Sequence, residues 1–201
     1  MIPTPIALNG APGSPYTRKM VALLRYRRIP YKLTQYGMGG APGMPKPKVQ
    51  LLPTFFLPNA QGELEAVVDS TPLIRRLERE FEGRSVLPPH PVTGFIDYLL
   101  EDYADEWLTK CLFHFRWAHE ADAQKAGDVL PRQSRTDLPE EAMAEAARAF
   151  RAHQVNRLWV VGSRRPWPVI SESQPTAHGW VFPSPSEASF PAAVGSPVCL
   201  A

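Results

Sequence analysis

Four short groups of residues set hydroxyl, carboxylate, amide and ammonium groups at helix starts and in loops, where they could meet a polar ligand. Ser14-Pro15 sets a hydroxyl at a helix start. Leu52-Pro53 places a proline at the mouth of an apolar run. Asp69-Ser70 puts a carboxylate and a hydroxyl ahead of a second helix, and Lys46, Lys48 and Gln50 lie in the polar loop between them. The free amides of a helix N-terminus, with a hydroxyl beside them, suit a carboxylate, and an acid such as Asp69 can pair with an ammonium. Ser14 also has a plainer role open to it, as the cap of its own helix.

The elements that must position these groups follow from pattern. Pro5-Ile6-Ala7-Leu8-Asn9 reads as a short buried strand, and Gly10 to Gly13 as the loop that leaves it. After the Ser14-Pro15 cap, Met20, Val21, Leu23 and Leu24 supply a helical face. Arg25, Arg27 and Arg28 gather in the last turn, where the dipole favours cations, and Ile29-Pro30 stops the helix. Tyr31 to Tyr36 alternates as a second strand. Gln50-Leu51-Leu52-Pro53-Thr54-Phe55-Phe56-Leu57 and Glu63 to Val68, with Asn59 and Gly62 in the turn, form a hairpin whose first strand is opened by Pro53. Thr71-Pro72 then caps a helix with Leu73, Ile74, Leu77 and Phe81 on one face. The plan is β-α-β followed by β-β-α.

Pro88-Pro89-His90-Pro91 marks a linker, after which the period changes. Ile96, Leu99, Leu100, Tyr103, Trp107, Cys111 and Phe115 recur at helical spacing and predict a long buried stripe. Asp97, Glu101, Asp102, Asp105 and Glu106 precede Lys110, His114, Arg116 and His119, a polarity that complements the helix dipole. A second helix is predicted from Leu138-Pro139 through Phe150 to Trp159. Residues 164–201 hold seven prolines, many serines and few charges, without period. They read as a disordered, aberrant ending that truncates the helical part. The expected organisation is thus 1–88, 89–163 and a tail of 164–201.

Composition narrows the function classes. The 201 residues, 44% apolar, suffice for two small domains, and a net charge of +2 leaves no basic footprint for nucleic acid. No apolar run approaches the length of a membrane span, and Met1-Ile2-Pro3-Thr4-Pro5 is not a signal peptide. Cys111 and Cys199 form neither a C-x-x-C nor a zinc spacing, consistent with a reduced, cytoplasmic setting. The acids and histidines of the long helix lack Glu-x-x-His repeats, so no metal site is expected.

The order of strand, turn, strand and capped helix, with Pro53 at the strand mouth and Asp69-Ser70 before the helix, resembles the glutathione-binding half of the thioredoxin-like domain in glutathione transferases. Ser14-Pro15-Tyr16-Thr17-Arg18-Lys19-Met20 is similar to the start of helix 1 in bacterial members. The run Glu101 to Trp107 with Phe113 to Trp117 resembles the first helix of the all-helical domain in an uncharacterised bacterial branch. The resemblance implies a thioredoxin-like domain followed by an all-α domain, here truncated. It implies a cis Pro53, with the backbone of Leu52 offered to the cysteine of glutathione, and Asp69 with Ser70 holding the γ-glutamyl end. Lys46, Lys48 and Gln50 become candidates for the glycyl carboxylate, although no helix is predicted where relatives carry their second one. Ser14, or alternatively Tyr16, would steady the sulfur, and Tyr16, Tyr103, Trp107 and Phe113 would wall the electrophile.

The expected activity is attack of glutathione thiolate on a small apolar electrophile by a homodimer, with glutathione as co-substrate. The alternatives are a non-catalytic glutathione- or protein-binding member, and a glutathione-dependent isomerase or dehalogenase. A thiol with pKa near about 8.5 needs roughly 1.4–2.7 kcal/mol to drop one to two units. One hydrogen bond to a charged acceptor contributes about 1.5–3 kcal/mol, so a single hydroxyl suffices. With serine rather than cysteine at position 14, no mixed disulfide can form, which disfavours thiol-exchange chemistry.

Overall fold

A computed structural model describes residues 2–37, 40–134 and 136–163, which pack within one compact unit. The expectation of a disordered, aberrant tail falls on residues outside those described. Strand β1 (Ile6–Asn9), helix α1 (Pro15–Tyr26), β2 (Tyr31–Thr34), β3 (Thr54–Pro58), β4 (Leu64–Val67) and α2 (Ser70–Glu80) appear in the predicted order. The sheet order is β2-β1-β3-β4. β1 runs parallel to β2, pairing Leu8 with Leu33, and antiparallel to β3, pairing Leu8 with Phe55; β3 and β4 form the hairpin, pairing Phe55 with Val67.

Helices α1 and α2 turn Met20, Leu23, Leu24, Leu73, Ile74 and Leu77 onto Ile6, Leu8, Phe55 and Leu57, giving one apolar core. Leu52-Pro53 is a cis bond, as is Thr4-Pro5. Two local expectations shift. Helix α2 starts at Ser70 with Asp69 as its cap, so Pro72 stands at the third helical position rather than the first. Arg27 is no surface dipole partner. It is buried at the end of α1, donating from Nε to the Arg84 carbonyl at 2.8 Å and from Nη2 to the Phe81 carbonyl at 2.6 Å. Its Nη1 lies 3.1 Å from Glu78 Oε1, close enough to pair charge but outside hydrogen-bond geometry.

Beyond the linker, one rod is built from α3 (Pro91–Tyr103), a π-helical segment (Ala104–Leu108) and α4 (Thr109–Trp117). Helix α5 (Glu120–Arg132), α6 (Glu140–Val155) and a 3-10 turn (Leu158–Val161) follow. Trp117, Ala123 and Leu158 form a second core with Phe113, Leu130 and Phe150 packed around it. The predicted buried stripe of the rod is corrected. Ile96, Leu99, Leu100, Tyr103, Trp107 and Phe115 are exposed, Leu100 and Trp107 at 62%, and α3 has no buried residue. The helical period is present, but no described element of this chain covers that face.

Candidate functional site

The cleft lies where α1, the turn before β3, and the start of α2 face the rod. It has a volume of about 390 Å³ and is lined by Tyr16, Leu51, Leu52, Pro53, Asp69, Ser70, Thr71 and Tyr98, with Glu101, Asp102, Asp105 and Glu106. Such a size falls within the range of small-molecule sites. The cis Leu52-Pro53 bond is part of this lining and immediately precedes β3.

Ser14 caps α1. Its Oγ accepts the Thr17 amide at 3.2 Å, while its own hydroxyl hydrogen has the Leu52 carbonyl at 3.5 Å, the long limit for a hydrogen bond. The two roles weighed for this residue are therefore compatible: a lone pair serves the cap, and the proton remains weakly held beside the cis-proline turn. Ser14 is half-buried, at the side of the cleft rather than in its lining.

Asp69 stands exposed on the lip, capping α2 through the Thr71 amide at 3.3 Å. Its φ of 78° is unusual for a residue other than glycine, and such strain of about 1–3 kcal/mol collects at ligand sites. Ser70 is buried, and its hydroxyl is already engaged. Lys19 Nζ donates to Ser70 Oγ at 3.1 Å, to Glu101 Oε1 at 2.8 Å and to Asp105 Oδ2 at 2.6 Å, and Ser70 Oγ lies 3.4 Å from Asp105 Oδ2. Burial alone would pull the Lys19 ammonium down, but the bonds from Asp105 and Glu101 outweigh it and hold it above its ordinary value.

Lys19, Glu101 and Asp105 had no site role in the sequence reading. The acids there were set against the helix dipole, yet the rod begins at Pro91 and its first turn carries no acid. Charged groups on two predicted helices, one strand-plan apart, give no linear signal of their meeting. Tyr16 is held in the cleft wall, its hydroxyl donating to the Asp105 carbonyl at 2.8 Å. The π-helical turn widens the backbone there, and the same carbonyl also receives the Thr109 hydroxyl.

Of the residues expected to wall an electrophile, Tyr16 lines the cleft and the others do not. Tyr103 and Trp107 face solvent and do not line the cleft, and Phe113 packs into the second core; Tyr98 lines the cleft instead. Gln50 and Lys46 border a small cavity with Asn9, Gly37, Leu51 and Leu52, whereas Lys48 is exposed outside both. Asn9, buried at the end of β1, shapes that cavity by donating to the Gly37 carbonyl at 2.9 Å and accepting the Tyr36 amide at 3.0 Å. Among the described residues no group of three or more His, Cys, Asp or Glu side chains is arranged to hold a metal ion, and no helix is long and apolar enough to cross a membrane.

A mixed four-stranded sheet with a cis proline opening β3, backed by helices and followed by a helical segment, defines a thioredoxin-like domain with an α-helical partner. Residues 8–85 match the family model described as glutathione S-transferase, N-terminal domain, so this part of the chain is a domain of that kind. No curated protein matches the chain.

Proposed function

We propose that the chain binds glutathione in this cleft and activates its thiol for attack on a small apolar electrophile. The observation that carries the reading is the Ser14 hydroxyl, whose proton is left with a 3.5 Å acceptor next to the cis Leu52-Pro53 turn. The glutathione cysteine would lie along the backbone of Leu52, with its sulfur accepting from Ser14. Asp69 on the lip would take the γ-glutamyl ammonium, and the start of α2 at Ser70 the neighbouring carboxylate, with Lys19 beside it. Gln50 and Lys46, on the small cavity beside Leu52, would take the glycyl end, with Lys48 further out. Tyr16 and Tyr98 would border the electrophile. A second copy of the chain, covering the exposed face of the rod, completes this reading as a homodimer.

A non-catalytic, glutathione-binding reading has one observation in its favour. Five carboxylates line the cleft while Lys19, bound to two of them, is already neutralised, a field that opposes a thiolate.

Substitution at position 14 separates the two. Ser14→Ala should lower turnover with a model electrophile about 10- to 100-fold, the worth of one hydrogen bond to a charged acceptor, with little loss of glutathione affinity. Because alanine also removes a cap worth about 0.5–2 kcal/mol, Ser14→Asp serves as the control: it keeps the cap and sets an anion against the sulfur, so it too should be inactive yet folded. Undiminished turnover in both variants contradicts the role of Ser14. A wild-type chain that binds glutathione without conjugating any electrophile favours the binding-only reading.

A further inference from the structure

Two cations flank the Ser14 loop, and neither is in an ion pair among the described residues. Arg116, half-buried on α4, donates from Nη1 to the Gly13 carbonyl at 3.1 Å, one residue before Ser14. Arg18 stands four residues beyond Ser14, on the next turn of α1, and is exposed. Burial, and then the neighbouring Arg18, pull the Arg116 guanidinium down from its ordinary value. On its remaining side the Gly13 loop meets the neutral side chains of Leu130 from α5 and of Gln133, the residue just after that helix. Four of the rod's five acids line the cleft, Glu101 and Asp105 held by Lys19 and Asp102 and Glu106 beside them, while Asp97 is exposed outside it.

A half-buried guanidinium beside another cation is retained at an electrostatic cost unless an anion comes to it. Resting on the glutathione-activating reading above, we propose that Arg116, fixed to the Ser14 loop by the Gly13 carbonyl, supplies with Arg18 the positive field that keeps the glutathione sulfur ionised. It is a positioning residue that acts through space: no bond to the substrate is made or broken by it. The proton lost from the thiol goes to solvent, and the sulfur lone pair so freed attacks the electrophile. The field offsets that of the acidic cleft, which would otherwise hold the thiol protonated.

The test is the ultraviolet absorption of the bound thiolate, titrated against pH in full-length wild type, Arg116→Met and Arg116→Lys, alongside the pH profile of kcat/KM. Arg116→Met should move both midpoints upward by about one pH unit, roughly a tenfold loss of thiolate at neutral pH, with glutathione affinity little changed. Arg116→Lys, which keeps the charge but not the fork, should stay near wild type. Midpoints unmoved in Arg116→Met overturn the inference while leaving the glutathione reading standing. Equal displacement in both variants shows that shape rather than charge matters, and also overturns it. Absence of any thiolate absorption in wild type defeats the glutathione-activating reading and this inference with it.

Discussion

Lys19 shows how much one side chain carries in this molecule. Its ammonium joins α1 to Ser70 on α2 and to Glu101 and Asp105 on the rod, with all three acidic and basic side chains about one-quarter exposed or less. Removing it leaves two partly buried carboxylates facing each other without a cation. Lys19→Met should therefore cost about 1–2 kcal/mol, the discounted value of a partly solvated pair. The pH dependence has a definite sign. Because the folded-state value is raised above the ordinary 10.5, the contribution is complete below that value and is lost as pH climbs past it through the raised one. Denaturant midpoints of wild type and Lys19→Met should differ near neutrality and converge at strongly alkaline pH. A gap that persists there, or that is absent at neutral pH, refutes this role.

At the scale of elements, legibility followed the size of the side chains. The Ser14-Pro15 cap, the hairpin from Thr54 to Val67, and the apolar faces of α1 and α2 were readable because each buries large residues at a clean period. Helix α5 went unread. It packs on α6 through small residues, and at Gly127 an added Cβ would sit 2.9 Å from the Arg151 Cβ, so close approach replaces a stripe of leucines. The site was legible where it rests on local chemistry, as at Leu52-Pro53 and Asp69-Ser70. It was not legible where distant helices meet, as at Lys19 with Glu101 or Arg116 with Gly13.

The rod reverses the usual inference from periodicity. A stripe that reads as core is exposed from Phe95 to Phe115, which is a larger run of apolar side chains than a lone soluble helix ordinarily shows to water. If a second copy covers it, sedimentation should give a dimer, and the thermal midpoint should rise with protein concentration. Leu100→Glu, which adds a charge to the centre of the stripe, should give a monomer with a lower, concentration-independent midpoint. A wild-type chain that remains monomeric at high concentration contradicts the dimer.

Among the described residues two cores stand on either side of one seam. The sheet with α1 and α2 has its own apolar centre, and the helices from Phe113 to Leu158 have another. Between them the described contacts are largely polar: Tyr16 to the Asp105 carbonyl, Lys19 to its two acids, Thr71 Oγ1 to Glu101 Oε1 at 3.1 Å, and Arg116 to Gly13. A polar seam can hydrate, and the cleft described above lies along it.

The account stands on glutathione lying along that seam, with its cysteine at Leu52 and its γ-glutamyl end at the start of α2. Backbone amide resonances of the isotopically labelled chain, followed as glutathione is added, report this position by position. Saturable shifts concentrated at Leu52, Asp69, Ser70 and Thr71 are the expected result. Shifts that are absent from those amides at saturating glutathione, or that appear only on the far side of the sheet or around His114 and His119, would contradict it.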